Sequence, residues 1–353
     1  MQKIREVIVL TKEEAAYGRH SSYYTQAFDF KGVDDFTVTK IKPGAGFFGR
    51  SVGKLFSGMI KAPGRDQNGS FAECRYFLRQ WRKGDTICHI AAVEDHLPLL
   101  HFVRTQRPRW IGTVHFPPSC WREEDLCALE KLGCIVTLCE RDRQYFGMRL
   151  PGCRVVCIPH GVDTDFFHPS PDVQSSSPRL LFVGKWLRDF DMAGSVLGAC
   201  LEKWPEIGVD IVVSRRWTKG TTLDGLHSSP RVRWHENVSD EELRILYQQA
   251  WLLVLPLKET SANNAIVEAL ASGLVPVVND TGGIRDYGGG DIYAFPAANT
   301  PEAWLQLVGD YLASKTLRQS ISQACRIFAV SKLDWRIIRE LHLEVYRFCL
   351  PKS

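Results

Sequence analysis

Short apolar, β-branched runs alternate with amphipathic stretches along most of the chain. The runs Glu6–Thr11, Phe36–Ile41, Thr86–Ala91, Trp110–Val114, Cys134–Cys139 and Val155–Ile158 predict strands. A second set follows at Leu180–Val183, Val209–Val213, Val232–His235, Leu252–Leu255 and Val275–Val278. Between them, apolar residues at helical spacing predict helices such as Phe71–Trp81, Glu123–Leu132, Asp240–Ala250, Glu302–Leu312 and Asp334–Cys349. Strand and helix in alternation imply parallel sheets with both faces covered. Residues 170–178, rich in Pro and Ser with almost nothing to bury, predict a solvated linker. The expected organisation is therefore α/β: a Rossmann-like doubly wound domain over 1–169, the linker, and a second over 179–333. A final helix is expected over 334–353. Ligands of open parallel sheets bind beyond the carboxyl ends of the strands, so two such domains are expected to face each other across a ligand cleft.

Composition narrows the class. In 353 residues, 44% are hydrophobic and 24% charged, which excludes a disordered, collagen-like or coiled-coil chain. No apolar run approaches the roughly 18 residues of a membrane span. The first residues meet acid almost at once and carry no small-residue cleavage site, so no secretory signal is expected. Eleven cysteines without CxxC pairs predict free thiols in a reducing, cytoplasmic setting. The net charge of +4 is uneven: residues 1–110 hold 18 Lys and Arg against 11 Asp and Glu, whereas the remainder holds 26 against 29. The first part is therefore the one expected to meet something acidic.

Several short motifs carry little. Gly49-Arg-Ser-Val-Gly53 matches GxSxG but lacks a strand directly before the serine, because Pro43-Gly-Ala-Gly46 intervenes. Gly44-Ala-Gly46-Phe-Phe-Gly49 matches GxGxxG but follows the second strand candidate, so a plain glycine loop is expected. Asp163-Thr-Asp165 and Asp189-Phe-Asp191 lack a third metal ligand and read as turns or helix caps. His20, His89, His96 and His101 lack ligand spacing and read as surface or cleft residues.

Residues 237–290 are more informative. Ser239 and Glu242 form a capping box before a helix. The run Ala250–Pro256 is a buried strand that delivers the loop Lys258-Glu-Thr-Ser-Ala-Asn-Asn264 to the helix Ala265–Ser272, stopped by Gly273. A further strand, Leu274–Val278, and the loop Thr281-Gly-Gly-Ile-Arg285 follow. A helix N-terminus fed by small polar residues offers unpaired N–H groups to a phosphate, and Glu268, one turn in, can accept both hydroxyls of a ribose. From these residues alone, a capped helix with a solvated Glu stands equally open.

Upstream segments add to this set. Ile158-Pro-His-Gly-Val-Asp163 with Phe166-Phe-His-Pro169, Phe182-Val-Gly-Lys185, Gly112-Thr-Val-His115 and Thr260 to Glu268 occur in an order and spacing that resembles the retaining glycosyltransferases of family four, of GT-B architecture. The resemblance implies a hexosyltransferase-type enzyme that moves a sugar from a nucleotide-sugar to a hydroxyl acceptor with retention, needing no metal and no cofactor beyond the nucleotide-sugar co-substrate. Residue by residue, it implies that Glu268 binds the ribose. The diphosphate lies against Gly184, Lys185, Arg188 and the helix N-terminus at Asn263 and Asn264. His115 lines the donor sugar, and catalysis rests on His115, Lys185 and Glu268. Two positions depart from the pattern. Thr260 stands where the first acid of the donor pair is expected, with Glu259 one residue early, and Phe190 stands where a second base is expected, leaving Arg188 as its substitute.

The same resemblance gives the acceptor to the N-terminal domain and implies that the final helix crosses back to that domain. Arg19 and His20, in the loop beyond the first strand, read as acceptor contacts, and His115-Phe-Pro-Pro-Ser119 reads as a rigid wall. The acceptor class stays open between a glycan, a lipid-linked sugar and a small molecule. Residues 47–61 read either as a basic amphipathic helix lying peripherally on the inner face of a membrane or as an ordinary helix with its apolar side in the core. The basic residues form no nucleic-acid reading motif, so no nucleic-acid partner is expected. Two alternatives remain: a nucleotide-sugar epimerase of the same architecture, and a catalytically degenerate nucleotide-sugar-binding or assembly partner.

Overall fold

The computed structural model describes residues 5–10, 20, 26–30, 36–41, 50–55, 71–75, 86–102 and 110–349. The chain forms two compact units: Met1–Pro159 with Ile338–Ser353, and His160–Ile337.

The first unit holds a parallel six-stranded sheet: β1 (Arg5–Leu10), β2 (Phe36–Ile41), β3 (Thr86–Ile90), β4 (Trp110–Thr113), β5 (Cys134–Thr137) and β6 (Arg154–Cys157). Their order is β2-β1-β3-β4-β5-β6. Val7 to Leu10 are buried without a break, as are β4 and β5, because helices cover both faces of a parallel sheet. The strand order reverses between β1 and β3, so the loops after these strands border the crevice of this sheet.

The second unit holds β7 (Arg179–Val183), β8 (Gly208–Val212), β9 (Val232–His235), β10 (Leu252–Val254) and β11 (Val275–Val277), all parallel in the order β11-β10-β7-β8-β9. Here the direction of winding switches between β7 and β10. The loops leaving those two strands include Gly184–Asp189 and Leu257–Asn263, which carry Lys185, Arg188 and Asn263 of the expected diphosphate site. The second leads into the helix Asn264–Ala271 that carries Glu268, the expected ribose ligand. The capping box is formed: Glu242 N–H donates to Ser239 Oγ at 3.2 Å, and Ser239 N–H to Glu242 Oε2 at 2.7 Å.

The units divide at residues 159 and 160 rather than at 170–178. The segment from His160 belongs to the second unit because its groups are consumed there. His160 N–H donates to Tyr287 Oη, and Val162 N–H to Leu333 O. Gly161 lies so close to Trp335 that a Cβ would stand 2.4 Å from the indole. The Ser- and Pro-rich stretch is a strap on this same unit: Ser175 N–H donates to Gln249 O, and Trp251 Nε1 to Ser175 O. At the other end, the helix Trp335–Cys349 begins in the second unit and joins the first from Ile338. There Tyr346 Oη lies 2.7 Å from His89 Nδ1, and Arg339 Nη1 donates to Gln26 O.

His89 and His96 are not surface or cleft residues. His89 is fully buried between Tyr346 and Thr113 Oγ1, 2.8 Å from the latter, and His96 is buried against Glu73 at 2.6 Å. Each imidazole is held inside by partners distant in sequence. The turn and cap readings of the paired aspartates fit the structure: Asp163 Oδ1 accepts from the N–H groups of Asp165 and Phe166, and Asp189 caps the helix Phe190–Lys203 through Met192 N–H. Ser51 of the GxSxG match is exposed within the helical residues 50–55, and Gly44–Gly49 lies outside the described residues.

Candidate functional site

Three loops of the second unit build the site. The first leaves β7. Gly184 adopts a left-handed conformation at φ +92, and its N–H donates to Val212 O. Glycine is required there, since a Cβ would also stand 2.9 Å from Arg188 Nη2. The next turn places Leu187 at φ +55, a conformation that costs a branched side chain and brings Leu187 O to Lys258 N–H on the second loop.

Arg188 is a clamp within this loop pair. Its Nε donates to Val183 O at 2.9 Å, Nη1 to Trp186 O at 3.0 Å, and Nη2 to Asn263 Oδ1 at 3.0 Å. Burial pulls the guanidinium down to about 10, with Tyr247 and Glu268 opposing. Lys185 stands differently: it is exposed, with Nζ 4.3 Å from the centroid of the Trp217 ring.

The second loop leaves β10 and feeds the helix Asn264–Ala271. Asn263 is buried at its N-cap, where Oδ1 accepts from Ala265 N–H as well as from Arg188. Thr260 is buried and its Oγ1 donates to Ala262 O. Ser261 is also buried, and its Oγ has no hydrogen-bond partner among the described residues. Glu268 is buried one turn into the helix, with Oε2 accepting from Tyr247 Oη at 2.7 Å. Burial, reinforced by Glu268, pushes the Tyr247 phenol well above its ordinary range. Glu268 is thus not the solvated glutamate of the simpler reading. It is a carboxylate oriented in the interior by a phenol.

The third loop leaves β11. Gly283 N–H donates to Thr260 O, and Gly282 at φ +58 lies against the same carbonyl, where a Cβ would come within 1.8 Å. Together the three loops bring Gly184, Arg188, Thr260, Asn263, Asn264 and Glu268 to the switch point, with Lys185 at its exposed margin.

His115 belongs to the first unit, just past β4. Its Nε2 donates to Ala91 O at 2.8 Å. Glu94, in the loop after β3, holds the same segment: Oε1 accepts from His115 N–H at 2.5 Å and Phe116 N–H at 2.7 Å. Glu94 Oε2 is buried without a hydrogen-bond partner among the described residues, and burial raises this carboxyl to about 7. His20 is a half-buried turn residue, and Arg19 lies outside the described residues. Of residues 47–61, only 50–55 are described, with Arg50, Lys54 and Leu55 exposed. Among the described residues no His, Cys, Asp or Glu group has the form of a metal site, and no helix is long and apolar enough to cross a membrane.

Sequence reasoning missed Tyr247, Ser261, Trp217 and Glu94. Tyr247 looks like any apolar-face aromatic of an amphipathic helix. The other three acquire a role only through partners or burial set by the tertiary fold.

Residues 177–314 match the family model described as Glycosyl transferases group 1. No curated protein matches the chain in sequence. Among solved structures, sucrose-phosphate synthase (tll1590) from Thermosynechococcus elongatus is similar at TM-score 0.72 and 15% identity, over 98% of both chains. A glycosyltransferase from Rickettsia africae ESF-5 is similar at TM-score 0.72 and 13% identity, over 99% of this chain and 100% of that one. Anabaena Alr3699/HepE, solved in complex with UDP-glucose, is similar at TM-score 0.71 and 13% identity, over 97% and 99%. Residues 177–314 therefore carry the group 1 glycosyl transferase match, within a chain that has the GT-B glycosyltransferase fold.

Proposed function

We propose that this chain is a glycosyltransferase that moves a sugar from a nucleotide-sugar to a hydroxyl acceptor with retention, using neither a metal nor a further cofactor. The buried Glu268, oriented by Tyr247 behind a capped helix N-terminus at the switch point of the second sheet, carries this reading. In it, Glu268 accepts the ribose hydroxyls of the donor. The diphosphate lies at the N-terminus of the helix Asn264–Ala271, where the helix dipole favours anions, with Ser261 Oγ available as a donor. Lys185 supplies the positive charge that stabilises the departing diphosphate. Arg188 acts by fixing Asn263 and the Gly184 loop, its other bonds being made to the chain itself. His115 places the reacting sugar, and Glu94 fixes the backbone from which His115 projects. With no protein nucleophile assigned, the acceptor attacks from the face the diphosphate leaves, and the departing phosphate takes its proton. Catalysis then rests on positioning and charge stabilisation.

The N-terminal part, with its basic excess, is assigned to the acceptor. Exposed Arg50, Lys54 and Leu55 support a peripheral contact with an anionic membrane face, and the free state of all eleven cysteines supports a reducing, cytoplasmic setting. One observation favours a second reading. Thr260 spends its hydroxyl proton on Ala262 O and Arg188 is committed internally, which suits a donor-binding partner without turnover. Release of nucleoside diphosphate from UDP-, GDP- and ADP-sugars, with a membrane and glycan extract as acceptor source, separates the two. Turnover abolished in Glu268→Ala supports the transferase. Binding without turnover in any mixture supports the degenerate partner.

A further inference from the structure

We propose that Trp217 is a positioning residue for the diphosphate: its indole holds the Lys185 ammonium in place, and Trp217 acts on ligand affinity through Lys185. The inference rests on the reading of Lys185 as a diphosphate ligand. A large aromatic side chain is costly to leave in water. Trp217 is 47% exposed in the short turn Arg215–Trp217 after β8, and Lys185 Nζ lies 4.3 Å from its ring centroid. At that distance the ammonium sits within the attractive field of the ring quadrupole. Arg216 adds a second cation to the same ring, with its guanidinium carbon 5.2 Å from the centroid.

The platform is anchored on both sides. Arg215 N–H donates to Glu236 Oε1 at 2.8 Å, and this bond holds the Glu236 carboxyl below its usual range. Trp217 N–H donates to Ser214 O, and Thr218, fully buried, donates its hydroxyl to Arg215 O. Lys185, by contrast, has a flexible four-carbon stem and no backbone constraint on where its charge lies. Of the two cations on the Gly184–Asp189 loop, Arg188 has its donors on Val183, Trp186 and Asn263, so Lys185 is the one that presents charge outward. The indole therefore decides where that charge stands before any ligand arrives, reducing the ordering cost on binding.

A double-mutant cycle tests this. UDP, GDP and ADP, with uridine, guanosine and adenosine as phosphate-free controls, are titrated by calorimetry into the wild type, Trp217→Ala, Trp217→Phe, Lys185→Ala and the double variant. Circular dichroism checks that each is folded. For the diphosphate that binds, Trp217→Ala is expected to weaken affinity about two- to five-fold, the range of an exposed cation–π contact. Trp217→Phe is expected to restore most of it, and the loss is expected to vanish in the Lys185→Ala background and for the nucleoside. Equal loss for nucleoside and diphosphate, or the same loss with and without Lys185, would overturn the role assigned to Trp217 while leaving the donor site intact. If Lys185→Ala binds as tightly as the wild type, the assignment of Lys185 falls and takes this inference with it. If no diphosphate binds the wild type, the donor reading itself falls.

Discussion

Glu268 is buried one turn into the helix Asn264–Ala271. A carboxylate in the interior is tolerated only where hydrogen bonds compensate its lost hydration, and Tyr247 supplies one at 2.7 Å. Tyr247→Phe leaves the ring's packing in place and removes that donor. It is expected to cost about 1.5–3 kcal/mol in urea unfolding, the range for a bond to a charged group, and to weaken nucleotide binding because the carboxylate loses its orientation. A loss in neither measurement contradicts the assigned geometry. Glu94 shows the converse effect. Its carboxyl, raised from 4.5 to about 7 by burial, holds its proton more tightly in the folded chain than in the unfolded one. The stability tied to that proton is present below pH 4.5 and is lost as pH rises through 7. Glu94→Gln keeps an oxygen for the amides of His115 and Phe116 while removing the charge. It is expected to raise stability above pH 7 by up to about 3 kcal/mol and to leave it nearly unchanged near pH 4. Unfolding midpoints at the two pH values check the sign.

At the scale of elements, the loops rather than the strands make the site, and their conformations depend on a few glycines. Gly282 has φ +58 and lies against Thr260 O, where a Cβ would approach to 1.8 Å. Backbone cannot yield as a flexible side chain does, so Gly282→Ala is expected to displace the Thr260 loop and reduce nucleotide affinity at least ten-fold. The mirror comparison is Gly220→Ala, also at positive φ but with open space around the added carbon. It bears only the conformational cost of about 1 kcal/mol and is expected to leave binding unchanged. The strands themselves were legible because short apolar, β-branched runs mark them: each of β1 to β11 falls within a residue or two of such a run. The helix carrying Glu268 was legible too, from Asn263 as its cap and Gly273 as its stop. Tyr247 and Ser261 were not, since a tyrosine on an apolar face and a serine in a loop carry no local mark of a buried partner or of a missing one. The boundary at His160 was hidden for the same reason. Polar composition marked 170–178 as unburied, but it did not show that this segment is tied back onto Gln249 and Trp251 of the same unit.

At the scale of the whole molecule, the chain returns at its end to the unit in which it began, and buried histidines mark that return. Burial, with His342 and His115 adding to it, holds His89 well below its usual range; burial alone brings His342 down to about 3. Their rings lie 5.4 Å apart, beside Phe28 and Tyr346. Both are neutral in the folded chain and charge readily in the unfolded one. The stability they confer is therefore complete above about pH 6.5 and is lost progressively as pH falls toward 3, with His342 alone contributing roughly 5 kcal/mol across that window. Acid is expected to loosen the packing of the helix Trp335–Cys349 on the first unit, seen as a fall in hydrogen-exchange protection factors at residues 338–349 below pH 5. Unchanged protection there at pH 4 contradicts this.

Whether the second unit holds a nucleotide through Glu268 is decided by one titration. UDP, GDP, ADP and CMP are titrated by calorimetry into the purified chain, with Glu268→Ala alongside and shown to be folded. One nucleotide is expected to bind at micromolar strength and the variant to lose that binding, as the role of Glu268 requires. No binding by any of the four to the folded wild type, or binding that Glu268→Ala leaves unchanged, contradicts it.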